Sequence, residues 1–207
     1  MQYRELGDSG IKISAIIMGT WQAGKKMWAG IDDTQTTAAV RAAFDLGITT
    51  FDTAEEYGNG HSERILGNAL KDVRSQVVIA SKVFPNHLEP AALVEACHRS
   101  LKNLSTDFID LYQIHWPSGS WGTKIVPMEK SMDALMRLKQ QGKIRAVGVS
   151  NFSAGQLEEA LDCGPVASVQ PPYSLFWRQA ENELIPFCRA RGITVLAYSP
   201  LAQGILT

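Results

Sequence analysis

The sequence predicts an α/β fold built on a parallel sheet, and two observations carry that expectation. Apolar, β-branched runs alternate with amphipathic stretches along the chain, and most runs are too continuously apolar for a sheet with one wet face. A helix–Gly–strand junction also recurs three times, at Leu46-Gly47-Ile48, Gln141-Gly142-Lys143-Ile144 and Arg191-Gly192-Ile193. A glycine just past a helix takes the left-handed conformation without a Cβ clash and turns the chain into the next strand. Alternating βα units leave two architectures, a doubly wound open sheet and a (β/α)8 barrel.

Taken in order, segments 3–6 and 12–13, joined through Gly7-Asp8-Ser9-Gly10, read as a small hairpin that could plug the bottom of a barrel. Seven strands are expected, at 14–18, 48–52, 77–83, 108–113, 146–150, 166–170 and 194–198. A helical stretch at 33–46 follows the first, and Ser62 is expected to cap a helix over 63–71. Met132, Leu135, Met136 and Lys139 fall at helical spacing within 127–141. Ser153 and Gln156 form a capping-box pattern that opens a helix at 154–161. The open dinucleotide-binding sheet needs G-x-G-x-x-G after its first strand. The nearest match, Gly58-Asn59-Gly60-His61-Ser62-Glu63, lacks the third glycine and follows the second strand. No low-complexity stretch or linker divides the chain, so residues 1–207 read as a single domain.

Composition removes several function classes. The chain has 207 residues, 45% hydrophobic and 20% charged, with 20 basic and 21 acidic side chains. A net charge of −1 lacks the basic excess of a nucleic-acid binder. No apolar run approaches the roughly 18 residues of a membrane helix. The start, Met1-Gln2-Tyr3-Arg4-Glu5, has no leader character. Cys97, Cys163 and Cys188 are odd in number and far apart, which suits free thiols in a reducing cytoplasm better than a disulfide framework.

Polar residues collect at the carboxyl ends of the expected strands, where a barrel would build its active site. Asp52 ends the second strand with Tyr57 five residues on; Lys82 closes the third and His115 follows the fourth. Ser150-Asn151, Gln170 and Tyr198-Ser199 end the next three. Singly, each has a plain structural explanation: a capping Asp, a snorkelling Lys, a core His, a packed Tyr. Together, an acid, a phenol, an ammonium and an imidazole from successive strand ends would converge in a closed barrel.

That set suits protonation of an alkoxide. A free tyrosine, with a pKa near 10, holds its proton tightly, and a neighbouring ammonium favours the phenolate. Lys82 is therefore expected to lower the pKa of Tyr57, with Asp52 keeping Lys82 charged and aimed and neutral His115 orienting a substrate oxygen. Competing motifs fail: Gly148-Val149-Ser150-Asn151-Phe152 ends the hydrolase elbow pattern in Phe, and the four His lack zinc spacing, so no metal is expected. A Walker-type phosphate loop is also missing.

At these residues the sequence resembles the aldo-keto reductase family, especially its bacterial and channel-β-subunit-like branches. The resemblance rests on Gly19-Thr20-Trp21, Phe51-Asp52-Thr53-Ala54-Glu55-Glu56-Tyr57-Gly58, Ser81-Lys82, Ile114-His115-Trp116-Pro117, the run from Gly142 to Phe152, Gln170 and Ala197-Tyr198-Ser199-Pro200-Leu201. It implies a (β/α)8 barrel and NADP(H)-dependent reduction of aldehydes or ketones, with Tyr57 as proton donor, Lys82 and Asp52 assisting, and His115 positioning the carbonyl. Ser150, Asn151 and Gln170 would hold the nicotinamide carboxamide, with Tyr198 stacked on its ring. Ser199, Leu201 and Gln203 would approach the pyrophosphate, while Gly19, Thr20 and Asp52 line the nicotinamide ribose. Trp21 and Trp116, with Trp28, would wall the substrate pocket beside Tyr57 and His115.

Two rivals accompany this reading: a Schiff-base lyase using Lys82 as nucleophile, and a non-catalytic nucleotide- or partner-binding barrel like the channel β-subunits. The family carries its 2′-phosphate and adenine contacts on the eighth strand and the helix after it. The seven strands already reach residue 198, so the sequence is expected to be a portion of a longer reductase, lacking that strand and the C-terminal helices and binding NADPH poorly alone.

Overall fold

The computed structural model describes residues 1–26 and 28–207. β1 (Tyr3–Glu5) and β2 (Lys12–Ser14) pair as an antiparallel hairpin. Seven parallel strands follow: β3 (Met18–Gly19), β4 (Thr50–Asp52), β5 (Val78–Val83), β6 (Ile109–Ile114), β7 (Ile144–Ser150), β8 (Ser168–Gln170) and β9 (Thr194–Val195). Helices α1 (Asp33–Asp45), α2 (His61–Leu70), α3 (Pro90–Leu104), α4 (Met128–Gln140), α5 (Ala154–Cys163) and α6 (Leu184–Ala190) alternate with them from β3 onward. Within this seven-stranded sheet every strand after β3 lies beside its predecessor in the chain. A doubly wound sheet reverses its strand order at a switch point. This sheet never reverses, so it is the wall of a (β/α)8 barrel with seven of its strands.

Alternation along the strands divides the apolar residues into two cores. Ile79, Tyr112, Ile114, Val147 and Val149 face outward and pack with Leu66, Leu93, Leu135 and Leu157 of the helices. Val78, Ala80, Leu111 and Ala146 face inward, and Leu6, Ile11 and Ile13 of the hairpin region close that inner cluster. The hairpin thus plugs the amino-terminal end of the barrel. The Gly7 N–H donates to Thr194 Oγ1 at 2.8 Å, and a Cβ at Gly7 would lie 2.6 Å from the Ala167 carbonyl oxygen.

The local signals hold where the backbone demands them. Gly47, Gly142 and Gly192 take φ values of 87°, 71° and 66° at the three helix exits. Ser153 and Gln156 form the full capping box of α5. α3 leaves no such glycine signal, because Ser105 itself adopts φ 52° after it.

Two expectations need correction. The first barrel strand is only Met18–Gly19, not 14–18. The Ser14 hydroxyl donates to the Ile16 carbonyl at 2.7 Å and accepts from the Thr50 N–H, which ties Ser14 to β4 and turns 15–17 out of the sheet, leaving Ile16 exposed. Ser62 is not a cap, since α2 starts at His61 with Gly60 in the cap position. Its buried hydroxyl donates to the Thr20 carbonyl at 2.7 Å and meets the Thr20 and Thr53 hydroxyls.

Among the described residues no helix is long and apolar enough to cross a membrane. All three cysteines are free, Cys97 and Cys188 buried. If the hairpin is an integral plug, Leu6→Ala lowers the unfolding free energy by about 2–5 kcal/mol, the cost of a cavity in a core that cannot collapse. Urea denaturation measures this, and a loss under about 1 kcal/mol would show the plug to be dispensable.

Candidate active site

β4, β5 and β6 run in parallel register, so their carboxyl ends present Asp52, Lys82 and His115 along one rim. Lys82 is only 1% exposed. A buried ammonium costs several kcal/mol unless its protons find acceptors. Lys82 Nζ has three: it forms an ion pair with Asp52 Oδ1, donates to the Thr53 carbonyl at 2.9 Å, and lies 3.5 Å from Tyr57 Oη. The second Asp52 oxygen, Oδ2, accepts from the side-chain amides of Gln170 at 3.0 Å and Gln113 at 3.3 Å.

Tyr57 sits on the loop between β4 and α2, and two glycines set its height. A Cβ at Gly24 would fall 2.6 Å from the Tyr57 carbonyl carbon. One at Gly58, where φ is +65°, would fall 2.4 Å from the Gly24 carbonyl oxygen. The two backbones therefore touch directly behind Tyr57. Glu55 anchors the same loop from the other side. Its Oε1 accepts from the Phe84 N–H at 2.8 Å and pairs with His87 Nδ1 at 2.9 Å, and its Oε2 accepts from Arg99 at 3.3 Å.

The ring of His115 meets Tyr57 edge-on at 5.6 Å and Phe84 at 5.8 Å. Its Nδ1 is buried with no hydrogen-bond partner among the described residues. An orphaned N–H costs more than an orphaned lone pair, which places the imidazole proton on Nε2. Burial, reinforced by the Lys82 charge, holds the pKa of His115 well below its ordinary value. The imidazole is therefore neutral and a donor from Nε2.

The electrostatics of Tyr57 overturn one expectation. Burial pushes its pKa above the ordinary phenolic value, and the Lys82 charge only partly opposes that. Burial also pulls Lys82 down, but the Asp52 carboxylate and Tyr57 outweigh it and leave the ammonium above its ordinary value. The resting pair is a neutral phenol facing a firmly protonated lysine. Such a phenol is no pre-formed strong acid, but Lys82 is placed to stabilise the phenolate as a proton leaves.

Beyond β7, Ser150, Asn151, Gln170 and Tyr198 interlock. Ser150 Oγ donates to the Gln170 carbonyl at 2.9 Å, and Asn151 Nδ2 donates to the His115 carbonyl at 3.0 Å. Tyr198 Oη donates to Asn151 Oδ1 at 2.8 Å. The structure thus gathers the expected catalytic and amide-binding residues into one surface. Gly19 lies exposed at its margin, but the Thr20 hydroxyl turns inward to the Asp52 carbonyl at 3.0 Å. Ser199, Leu201 and Gln203 follow on a loop in which Ser199 and Gln203 take φ 52° and 56°. Trp21 packs edge-on to Trp28 at 5.3 Å, and Trp116 likewise to Trp121 at 5.5 Å.

Sequence reasoning missed Gln113, the glycine pair and the role of Glu55. Gln113 was legible in principle, since it shares inward parity with Leu111 two residues before it. The Gly24–Gly58 contact joins residues far apart in sequence and left no local signal.

The family to which this geometry belongs is evident on comparison. The profile of the aldo/keto reductase family matches residues 15–207, and the chain belongs to that family. It is 42% identical to the aldo-keto reductase YhdN of Bacillus subtilis over 217 aligned positions, covering 100% of this chain and 64% of YhdN. The chain therefore spans somewhat under two thirds of that relative's length. It superposes on the thermostable aldo-keto reductase Tm1743, solved with the inhibitor epalrestat, with a TM-score of 0.91 and 39% identity, covering 100% of this chain and 76% of that one. An aldo/keto reductase from Klebsiella pneumoniae, solved with NADP and acetate, gives a TM-score of 0.86 and 36% identity over 96% of this chain and 68% of that one.

Two outcomes follow from the site geometry. Asp52→Asn removes the larger of the two influences that together outweigh burial at Lys82, so the lysine pKa falls from its raised position; NMR titration of the lysine Nζ reads this, and an unmoved titration would show the pairing to be incidental. Gly24→Ala forces the backbones apart behind Tyr57 and costs about 1–3 kcal/mol of stability. Its chemical denaturation curve should shift accordingly, whereas a wild-type curve would mean the loop yields freely.

Proposed function

We propose that the chain is the catalytic portion of an NADP(H)-dependent oxidoreductase that reduces small aldehydes or ketones to alcohols, with Tyr57 as general acid. One observation carries this reading: the Tyr57 hydroxyl lies 3.5 Å from a buried ammonium that Asp52 keeps charged. A nicotinamide suits the donor set beside it. Gln170, Asn151 and Ser150 gather amide and hydroxyl donors and acceptors in one linked set, which is what a carboxamide requires. The half-buried ring of Tyr198 supplies a flat apolar face. The Klebsiella relative solved with NADP supports the same cofactor here.

We assign the roles as follows. Ser150, Asn151, Gln170 and Tyr198 hold the nicotinamide, Gly19, Thr20 and Asp52 line its ribose, and Ser199, Leu201 and Gln203 lie toward the phosphates. When bound, NADPH supplies the hydride to the carbonyl carbon. His115 donates from Nε2 to the carbonyl oxygen and fixes its direction. Tyr57 gives its proton to that oxygen as negative charge develops there, and Lys82 stabilises the phenolate left behind. Asp52 keeps Lys82 protonated throughout. Trp21 and Trp116 bound the space in which the substrate carbonyl sits.

The alternative use of Lys82 as a Schiff-base nucleophile needs a neutral amine. The pairing with Asp52 and the raised pKa oppose that. We further read residues 1–207 as one barrel domain and place it in the cytoplasm, where its three free thiols would remain reduced.

Tyr57→Phe should lower kcat/KM for aldehyde reduction by about 10²–10⁴-fold while leaving NADPH binding intact. Loss of NADPH absorbance measures the first and cofactor fluorescence the second. Full activity in the variant would remove Tyr57 from its role, and a wild-type chain that binds NADPH without turnover on a broad carbonyl panel would favour the non-catalytic barrel. Because His115 is neutral, the pH profile of kcat should show no inflection in the ordinary imidazole range near 6.5. An inflection there that His115→Ala abolishes would contradict the assigned state.

A further inference from the structure

We propose that Gln113 is a positioning residue: its amide fixes the Asp52 carboxylate so that the oxygen facing Lys82 stays committed to the ammonium beside Tyr57. This inference rests on the reading of Tyr57 as proton donor and deepens it. Gln113 lies on β6, directly paired in register with Lys82 on β5 and with Gly148 on β7. It is 0% exposed, and its Nε2 donates to Asp52 Oδ2 at 3.3 Å. The rest of the amide is idle, for Oε1 is buried without a partner among the described residues. A side chain there only to fill the barrel would carry no amide, because an apolar one of equal size fills space without burying polar atoms. Among the described residues, the one bond that this amide makes is to Asp52.

The neighbouring strand makes room for it. Gly148 faces Gln113, and a Cβ at Gly148 would lie 3.1 Å from Gln113 Cγ and 2.6 Å from Ser168 Oγ. A side chain at that position would crowd Gln113 Cγ and press on the Ser168 hydroxyl. Orientation is also fixed, since an amide oxygen turned toward the carboxylate would meet like charge.

Gln170 makes the stronger bond to the same oxygen, at 3.0 Å, but it stands at the open end of β8 among the residues assigned to the nicotinamide. If a ligand recruits Gln170, Asp52 Oδ2 keeps only Gln113. The deeper amide thus holds the carboxylate in both states, which the rim amide alone cannot do.

The test uses this chain with Gln113→Met and Gln113→Glu, read by nitrogen NMR of the Lys82 ammonium and by steady-state kinetics. Gln113→Met should speed exchange of the Lys82 ammonium protons by about tenfold and lower kcat by about tenfold, with KM held within about twofold. Gln113→Glu keeps the size and shape of glutamine. While protonated, its carboxyl can donate the same bond; once ionised it repels Asp52. Lys82 exchange in that variant should therefore match wild type at low pH and match the Met variant at high pH. Unchanged exchange in Gln113→Met overturns the proposal, and so does a ratio of Gln113→Glu to wild-type exchange that stays constant with pH, which decides the matter if the Met variant fails to fold. A wild-type chain that binds NADPH yet shows no turnover would overturn the reductase reading instead, and the exchange measurements need no turnover.

Discussion

The buried ammonium of Lys82 is the constraint around which the rim of this barrel is organised. Its charge cannot remain inside without compensation, and compensation fixes three partners at once: the Asp52 carboxylate, the Thr53 carbonyl and the Tyr57 hydroxyl. Asp52, being charged and mostly buried itself, requires donors of its own and draws Gln113 and Gln170 toward it. From one lysine the demand for satisfied charge spreads across β4, β5, β6 and β8.

The second organising element is close backbone approach. Where Gly24 meets Gly58 behind Tyr57, and where Gly67 on α2 would put a Cβ 2.4 Å from the Leu104 carbonyl oxygen, no side chain intervenes. These contacts bring rigid main chain against main chain, and the loop bearing Tyr57 inherits that rigidity. A long side chain can change rotamer under thermal motion. A peptide plane wedged against another has far fewer alternatives.

Much of this was legible in the residues. The strand and helix alternation is a local pattern that appears in the expected order, though its first strand is shifted to Met18–Gly19 and its last shortened to Thr194–Val195; the glycine exits at Gly47, Gly142 and Gly192 and the capping box at Ser153 appear where expected. The convergence of Asp52, Tyr57, Lys82 and His115 was also legible, because strand ends in a parallel barrel share one rim. What escaped was non-local. Ser62 looks like a cap from its neighbours, but its hydroxyl has better partners in Thr20 and Thr53, which only the fold delivers. The direction of the Tyr57 pKa shift escaped for a related reason. Charge proximity was readable from the strand ends, while burial, which outweighs it, depends on the whole surround.

The row of paired residues formed by Lys82, Gln113, Gly148 and Ser168 has a further consequence. Side chains alternate faces along a strand, so a slip of one residue in β6 would carry Gln113 outward and bring Tyr112 inward. The helices and the overall helix and strand content would barely register such a slip, yet the carboxylate would lose its inner amide and the barrel interior would gain an aromatic ring. Chemical competence at the rim is therefore a finer gauge of correct strand alignment than any measure of secondary structure. A population of these molecules could look fully folded by backbone spectroscopy and still contain a misaligned fraction that is silent in chemistry.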